Sequence, residues 1–462
     1  MKDIDILLKK VKRIHFIGIG GSGMCPLAEI LHHEGYQLSG SDNNESDIVN
    51  RIRKLGIPVA MGQRAENIEG AEMVVYTAAL LPDNPELVAA KESSIPTFER
   101  SELFGAVSRL YKNCYGVCGT HGKTTTTSMI TQMMLSADLD PSAVIGGKLP
   151  LIDAYGRVGK SENFVCEACE FVDTFLHLSP SVAVLLNIDE DHLDYFKTMD
   201  NLILSFHKFA DMARDAVIYN GDDANTLTAM KGIDKQQKIT FGYDAKNTYY
   251  PENIDTVRGA FYAFDVMKEG EKLGRVTLSV PGKHNILNAL AAIATVLYAG
   301  GDFEKAKQGL EAFGGAGRRF EMLGTYNGIT FADDYAHHPA ELRVTLEATA
   351  KMGYHAVWAV FQPFTYSRTY MLLDDFAEVL SIPEHCVMTE IMGSRERNTY
   401  NVYTSQLAAK IPGSQWFEGF EGVSNYVVEH AEKGDLVITL GCGDIYKAAR
   451  MMIEKIKNAS SK

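Results

Sequence analysis

The chain has 462 residues, 46% hydrophobic and 23% charged, with a formal net charge of -14 at pH 7. At roughly 100 to 200 residues per domain this length predicts two to four domains, and we take three. The acidic balance leaves room for a nucleic-acid or anionic-membrane surface only as a local basic island in a repelling field, so neither partner is expected.

The first twenty residues, MKDIDILLKKVKRIHFIGIG, carry short apolar runs broken by charge and no small-residue cleavage pattern. No later run approaches the roughly 18 apolar residues that a membrane helix needs, so a cytoplasmic protein is expected. Residues 13 to 17 predict a strand that ends in the glycine cluster Gly18, Gly20, Gly21 and Gly23. A helix from Met24 to His33 and a second strand at 37 to 41 ending at Asp42 follow. With MVVYT at 73 to 77 and a helix at about 85 to 93, the alternation predicts a parallel, Rossmann-like domain over 1–108.

A second unit, 109–317, opens on the apolar strand CYGVCGT, a glycine turn and a helix from Lys123 to about Leu135. Strands at 163–168, 182–188 and 216–220 continue a parallel pattern, whereas 237–280 reads as an antiparallel insertion. The apolar helix at 285–300 should pack on a sheet, and Gly314-Gly315-Ala316-Gly317 breaks the chain. The third unit, 318–462, repeats the α/β alternation at TFADD, AVWAVF, CVMTEI and LVITLG, and its polar tail NASSK is expected to fray.

The most specific local pattern is Gly119-Thr120-His121-Gly122-Lys123-Thr124-Thr125 between a predicted strand and helix. Backbone N–H groups of such a turn and the helix N-terminus face a phosphate, and Lys123 can reach the β and γ oxygens. A hydroxyl of Thr124 or Thr125 can join a magnesium ligand set. The spacing is not that of the standard P-loop, since five residues separate Gly116 from Gly122 rather than the usual four. The Gly18 turn fits GxGxxG with Asp42 about 20 residues on. It can bind NAD or another nucleotide diphosphate, or be a plain structural turn. Glu167 ends a predicted strand and the acidic stretch Asn187 to Asp194 follows another, so Glu167 and His192 can meet a metal at one sheet edge. Magnesium favours oxygen ligands, and His192 reads equally as a solvated loop residue. Of seven cysteines, Cys166 and Cys169 have CxxC spacing, but no second tight pair lies near, so buried structural thiols are expected.

Taken together, HFIGIGGSGM, GTHGKTTTT, EACE with FLHL, NIDEDHLD, GKHNILNALAA, GRRFE, DDYAHHP, FQPFTYSRT and GCGDI resemble the Mur ligase family, in the family's order and across nearly the whole chain. The resemblance implies a UDP-binding Rossmann-like domain, a central ATPase domain with a parallel sheet and a closing Rossmann-like domain that receives an amino acid. It implies an ATP-dependent, ADP-forming ligase of peptidoglycan biosynthesis that joins L-alanine to the carboxylate of UDP-N-acetylmuramate through an acyl phosphate, as a monomer or weak homodimer.

Lys123, His337 and Arg368 are then the expected catalytic residues. Gly119 to Thr125, His284, Asn285, Asn288, Arg319 and Asp334 would bind ATP, and Thr124, Thr125, Glu167 and His192 would hold Mg2+ or Mn2+. Gly18, Gly20, Gly21, Gly23 and Asp42 would line the UDP site. This chain departs from the family at Cys169, Phe171 and Val172, which replace polar residues beside Glu167, at Phe364, where a histidine is expected, and at Cys442. A tripeptide-recycling ligase of the same chemistry or a related Mur ligase that adds another amino acid, such as glycine or serine, a NAD-dependent dehydrogenase and a non-catalytic nucleotide-binding regulator are the competing readings. Lys208 is expected to be a helix-surface residue.

Overall fold

Short apolar runs alternating with helices build three sheets in a computed structural model that describes residues 3–394 and 396–460. The first contains β1 (Arg13–Ile17), β2 (Gln37–Asp42), β3 (Val59–Met61), β4 (Met73–Tyr76) and β5 (Thr97–Glu99), all parallel, in the order β3-β2-β1-β4-β5. The order reverses around β1, and the glycine turn that follows β1 stands at this switch point.

The second sheet contains β6 (Asn113–Cys118), β7 (Ser142–Leu149), β8 (Ala154–Arg157), β9 (Asn163–Glu167), β10 (Val182–Leu185), β11 (Ala216–Asn220) and β12 (Gln237–Phe241). Their order is β12-β11-β10-β6-β9-β7-β8, parallel throughout except for β7 with β8. Every residue of β10 and β11 is buried, as a sheet covered on both faces requires. The reading of 237–280 as antiparallel is corrected at its start, because β12 pairs parallel with β11. The alternating run QKITF suits either direction, and only the connection decides. From there β13 (Tyr249–Arg258), β14 (Phe261–Lys268) and β15 (Glu271–Thr277) are neighbours joined by two-residue turns. Positive φ at Gly259, Glu269 and Gly270 suits those hairpins.

The third sheet contains β16 (Glu321–Tyr326), β17 (Ile329–Asp334), β18 (Val357–Phe361), β19 (His385–Thr389), β20 (Gln415–Phe417) and β21 (Leu436–Leu440), in the order β16-β17-β21-β18-β19-β20. Only β16 runs antiparallel to its neighbour. Val357, Ala359 and Phe361 pack with Leu342, Leu346 and Phe376 on one face, while Trp358 and Val360 pack with Val423, Val427 and Met452 on the other. This is the two-residue period of a strand with helices on both sides. The last helix, Tyr446–Ser460, takes in Asn458, Ala459 and Ser460, where fraying was expected; Ser461 and Lys462 lie outside the described residues.

Contacts divide the chain into two units. The first runs to Glu252 and adds Asp265–Val276 and Ile286–Phe313; the second comprises Asn253–Phe264, Thr277–Asn285 and the chain from Gly314 onward. The expected boundary at 108 is therefore no break in packing. Arg109 donates both to Asp5 and to the His177 carbonyl (3.1 Å), and Gly105 lies so close to that carbonyl that no side chain fits. Among the described residues no helix is long and apolar enough to cross a membrane.

Candidate active site

Strand β6 is flanked by β10 and β9, so the turn after β6, the end of β9 and the segment after β10 share one edge of the sheet. The turn Gly119 to Gly122 leads directly into the helix Lys123–Ser136. Thr120 N–H donates to the Asn187 carbonyl (3.0 Å), His121 N–H donates to Asn187 Oδ1 (2.8 Å), and Asp189 N–H donates to Thr120 Oγ1 (2.9 Å). Asn187 and Asp189 thus brace the turn, a role that the sequence reading did not assign to them. Gly122 has φ +85°, and a Cβ there would stand 2.5 Å from Asn288 Oδ1. Gly122→Ala is accordingly expected to cost about 1 to 3 kcal/mol in a denaturant melt, from backbone strain and the clash together.

Lys123 Nζ donates to the carbonyls of Gly119 (2.6 Å) and Thr120 (3.0 Å) and to Glu170 Oε1 (3.0 Å). Burial works against its charge, but Glu170, with Cys169 and Glu167, outweighs burial and holds the ammonium above its ordinary range. Thr124 Oγ1 donates to Glu167 Oε2 (2.8 Å), which also accepts the Gly146 N–H (2.9 Å). Thr125 is half-buried one residue on.

The structure gathers ligand atoms of Glu170, Asp191 and His192 within 4.8 Å of one another. His192 is therefore in a cluster as expected, but with two acids that the sequence reading passed over. Glu167 lies apart from that set, held by Thr124 and Gly146. Glu170 is almost wholly buried; its Oε1 faces Lys123, and among the described residues its Oε2 has no hydrogen-bond partner. A buried carboxylate oxygen without a donor is costly unless a cation meets it, so this donor set fits a hard divalent ion. Lys208 is exposed on the helix Met199–Asp211, as expected.

In the first sheet Gly18 has φ +79°, and a Cβ there would meet Thr77 Cγ2 at 2.8 Å. Asp42 Oδ2 accepts the Gly20 N–H (2.9 Å) and Oδ1 accepts the Asn44 N–H (3.0 Å). Asp42 thereby braces the turn of the UDP site that it was expected to line. Gly21 continues the turn, and Gly23 packs against the Arg100 side chain. The CxxC pair makes no ligand set: Cys166 is buried with its Sγ 3.9 Å from Cys114, and burial pushes Cys169 up to about 11.

In the second unit Arg318 is committed to the fold, since it donates to Asp333 (2.8 Å) and to the Gly443 carbonyl (3.0 Å). Arg319 instead places its guanidinium 4.9 Å from the Tyr335 ring centroid. Asp334 is buried and accepts the N–H groups of Phe320 (2.8 Å) and Ala336 (2.7 Å). Burial pushes its carboxyl up to about 6, against the pull of Arg319 and the two amides. A raised folded value means that the proton stabilises the fold: this contribution is complete below roughly pH 4 and is lost as pH rises through about 6. The melting temperature of the protein relative to its Asp334→Asn variant is therefore expected to fall across that window, which paired melts at several pH values would measure.

His337 Nδ1 lies 3.1 Å from the Tyr335 carbonyl and 3.3 Å from Glu341, and its ring meets Phe364 edge-on at 6.4 Å. Burial lowers the His337 value despite Glu341, with the Arg368 charge adding to the fall. Arg368 sits on the short helix Tyr366–Met371, and its charge also opposes the rise that burial imposes on the Cys442 thiol. Thr365 before that helix has φ +64°, a strained backbone for a β-branched residue. His284 and Asn285 open the helix His284–Tyr298, where Asn285 Nδ2 donates to the Pro281 carbonyl (2.6 Å). Both belong to the second unit and Asn288 to the first.

A fold and a phosphate turn of this kind define a nucleotide-dependent α/β enzyme. Residues 13–112 match the model of the Mur ligase family catalytic domain, 117–296 that of the Mur ligase middle domain, and 318–443 that of the Mur ligase glutamate ligase domain. The chain is 43% identical to the UDP-N-acetylmuramate--L-alanine ligase of Acetivibrio thermocellus, over 98% of each chain. It is 44% identical to the protein of that name in Agathobacter rectalis, over 96% of this chain and 98% of the relative. The crystal structure of the UDP-N-acetylmuramate-alanine ligase MurC of Thermotoga maritima superposes with a TM-score of 0.84 at 28% identity, over 97% of this chain and 99% of that one. The chain belongs to the Mur ligase family, whose members are ATP-dependent, ADP-forming amide ligases.

Proposed function

We propose that this ligase joins L-alanine to the carboxylate of UDP-N-acetylmuramate at the expense of ATP, in the cytoplasm, as a step of peptidoglycan assembly. The observation that carries the assignment to this site is the Lys123–Glu170 pair at the phosphate turn, with one Glu170 oxygen left for a cation. The two relatives of that name, 43% and 44% identical over nearly full length, support the choice of substrates.

Lys123 and the N–H groups at the start of the helix Lys123–Ser136, beyond those of Thr120 and His121 that Asn187 engages, hold the ATP phosphates. Glu170, Asp191 and His192 would hold Mg2+ or Mn2+, with Glu167 and Thr124 or Thr125 as the further candidate ligands, and the bound ion would supply charge neutralisation on the phosphates. The muramate carboxylate attacks the γ phosphorus and ADP leaves. The alanine amine then attacks the acyl phosphate, loses a proton and expels inorganic phosphate. Arg368 pairs with the alanine carboxylate or the anionic intermediate, and His337, whose charged form burial disfavours, takes part in the same step. His284, Asn285, Asn288, Arg319 and Asp334 are assigned to nucleotide binding, and the Gly18 turn with Asp42 to the UDP part. The functional division runs at 108 and 317, and the protein works as a monomer or weak homodimer.

Phosphate release from MgATP with UDP-N-acetylmuramate, compared among L-alanine, glycine, L-serine and a murein tripeptide, tests the substrate assignment. Release that depends on alanine and exceeds that with every other acceptor supports it. Preference for the tripeptide would move the enzyme to peptide recycling.

A further inference from the structure

Phe171 and Val172 are 41% and 47% exposed beside the Glu170–Asp191–His192 cluster, where a solvated loop has no packing need for large apolar side chains. Their backbone is unusual too. Val172 (φ 53°, ψ 33°) and Asp173 (φ 56°, ψ 22°) are both left-handed, which is costly for a β-branched residue and persists only where its surroundings enforce it. The enforcing contacts come from Asp173, whose carboxylate accepts hydrogen bonds from Tyr195 Oη (2.9 Å) and from Ser205 Oγ.

The outcome of this local fold is a ring contact. The Phe171 ring lies against the His192 imidazole with centroids 4.6 Å apart and planes at 47°. His192 is itself left-handed (φ 53°), and its Nε2 stands 3.6 Å from Asp191. A histidine at the start of a four-residue helix, with one face open to solvent, would otherwise sample several ring orientations.

We propose that Phe171 is a positioning residue for the cation site: its ring holds the His192 imidazole in the orientation that completes the set with Glu170 and Asp191. The Asp173 clamp holds Phe171 in place for that task. This inference rests on the cation-binding role given to His192 above. Partners that orient a metal-binding histidine are worth roughly tenfold to a hundredfold in metal affinity, and a single aromatic face belongs at the lower end of that range.

Mn2+ titrations of the full chain, read from the paramagnetic resonance signal of the free ion, test the idea without turnover. Phe171→Ala and Phe171→Leu are expected to weaken Mn2+ binding about tenfold, and Phe171→Tyr to retain it, with a thermal melt of each variant to show that it is folded. The leucine keeps apolar bulk without a ring, so it separates the ring contact from apolar packing. Unchanged affinity in Phe171→Ala, or leucine as good as tyrosine, overturns the proposal. His192→Ala is the control: if it loses Mn2+ and Phe171→Ala does not, the positioning role alone fails. If His192→Ala binds as the native chain does, the cation reading of His192 fails and the positioning role falls with it.

Discussion

Lys123→Ala is expected to lower kcat/KM for alanine-dependent phosphate release by at least ~10³-fold, as loss of a charged clamp on a transferring phosphoryl group does. The lysine is nearly enclosed, with two turn carbonyls and Glu170 arranged around its ammonium. It is thus pre-oriented before ATP arrives, and its proton is secured by Glu170. Lys123→Arg should rescue little, because a planar guanidinium cannot occupy a site shaped by two carbonyls 2.6 and 3.0 Å from one nitrogen. Removing the lysine also leaves Glu170 without its ion pair, so a thermal melt belongs beside the kinetics. A folded Lys123→Ala enzyme with native kcat/KM would remove Lys123 from the chemistry.

Glu170→Gln is the second large effect. The amide keeps the shape but ends the ion pair to Lys123 and takes one anionic ligand from the cluster. We expect kcat/KM to fall ~10²-fold or more, and the Mg2+ concentration for half-maximal activity to rise at least about tenfold. Glu167→Gln makes the informative comparison, since Glu167 is engaged with Thr124 and Gly146. Its substitution should act mainly through the position of Thr124, with a smaller change in Mg2+ demand. Mg2+ titrations of initial rate for both variants measure the difference, and equal shifts would contradict the ligand order drawn here.

The phosphate turn was legible in the sequence because its grammar is local: an apolar strand, glycines where φ must be positive, then a helix with lysine at its first position. Glu167 and His192 could be brought to one edge because parallel strands present their C-terminal ends together. Glu170 was not legible as a ligand. Its place depends on the left-handed pair Val172 and Asp173, and nothing in a valine announces a left-handed backbone. The signal available was the second glutamate of EACE, three residues beyond the first, together with Asp191 next to His192. Asp42 has the spacing of a ribose ligand, but spacing cannot tell that its carboxylate also closes the Gly20 turn. Strand β12 was misread because QKITF alternates equally well in either pairing direction. The edge strands β16 and β20 went unmarked, one without a single buried residue and the other three residues long.

In the proposed reaction the muramate carboxylate is activated by phosphoryl transfer from ATP and then captured by alanine. The most direct measurement uses UDP-N-acetylmuramate labelled with 18O in that carboxylate, with ATP, Mg2+ and L-alanine, and reads the released phosphate by 31P NMR. One 18O is expected in each phosphate formed, in step with the appearance of the alanyl product. Unlabelled phosphate, or phosphate formed equally well without alanine and muramate, would contradict it.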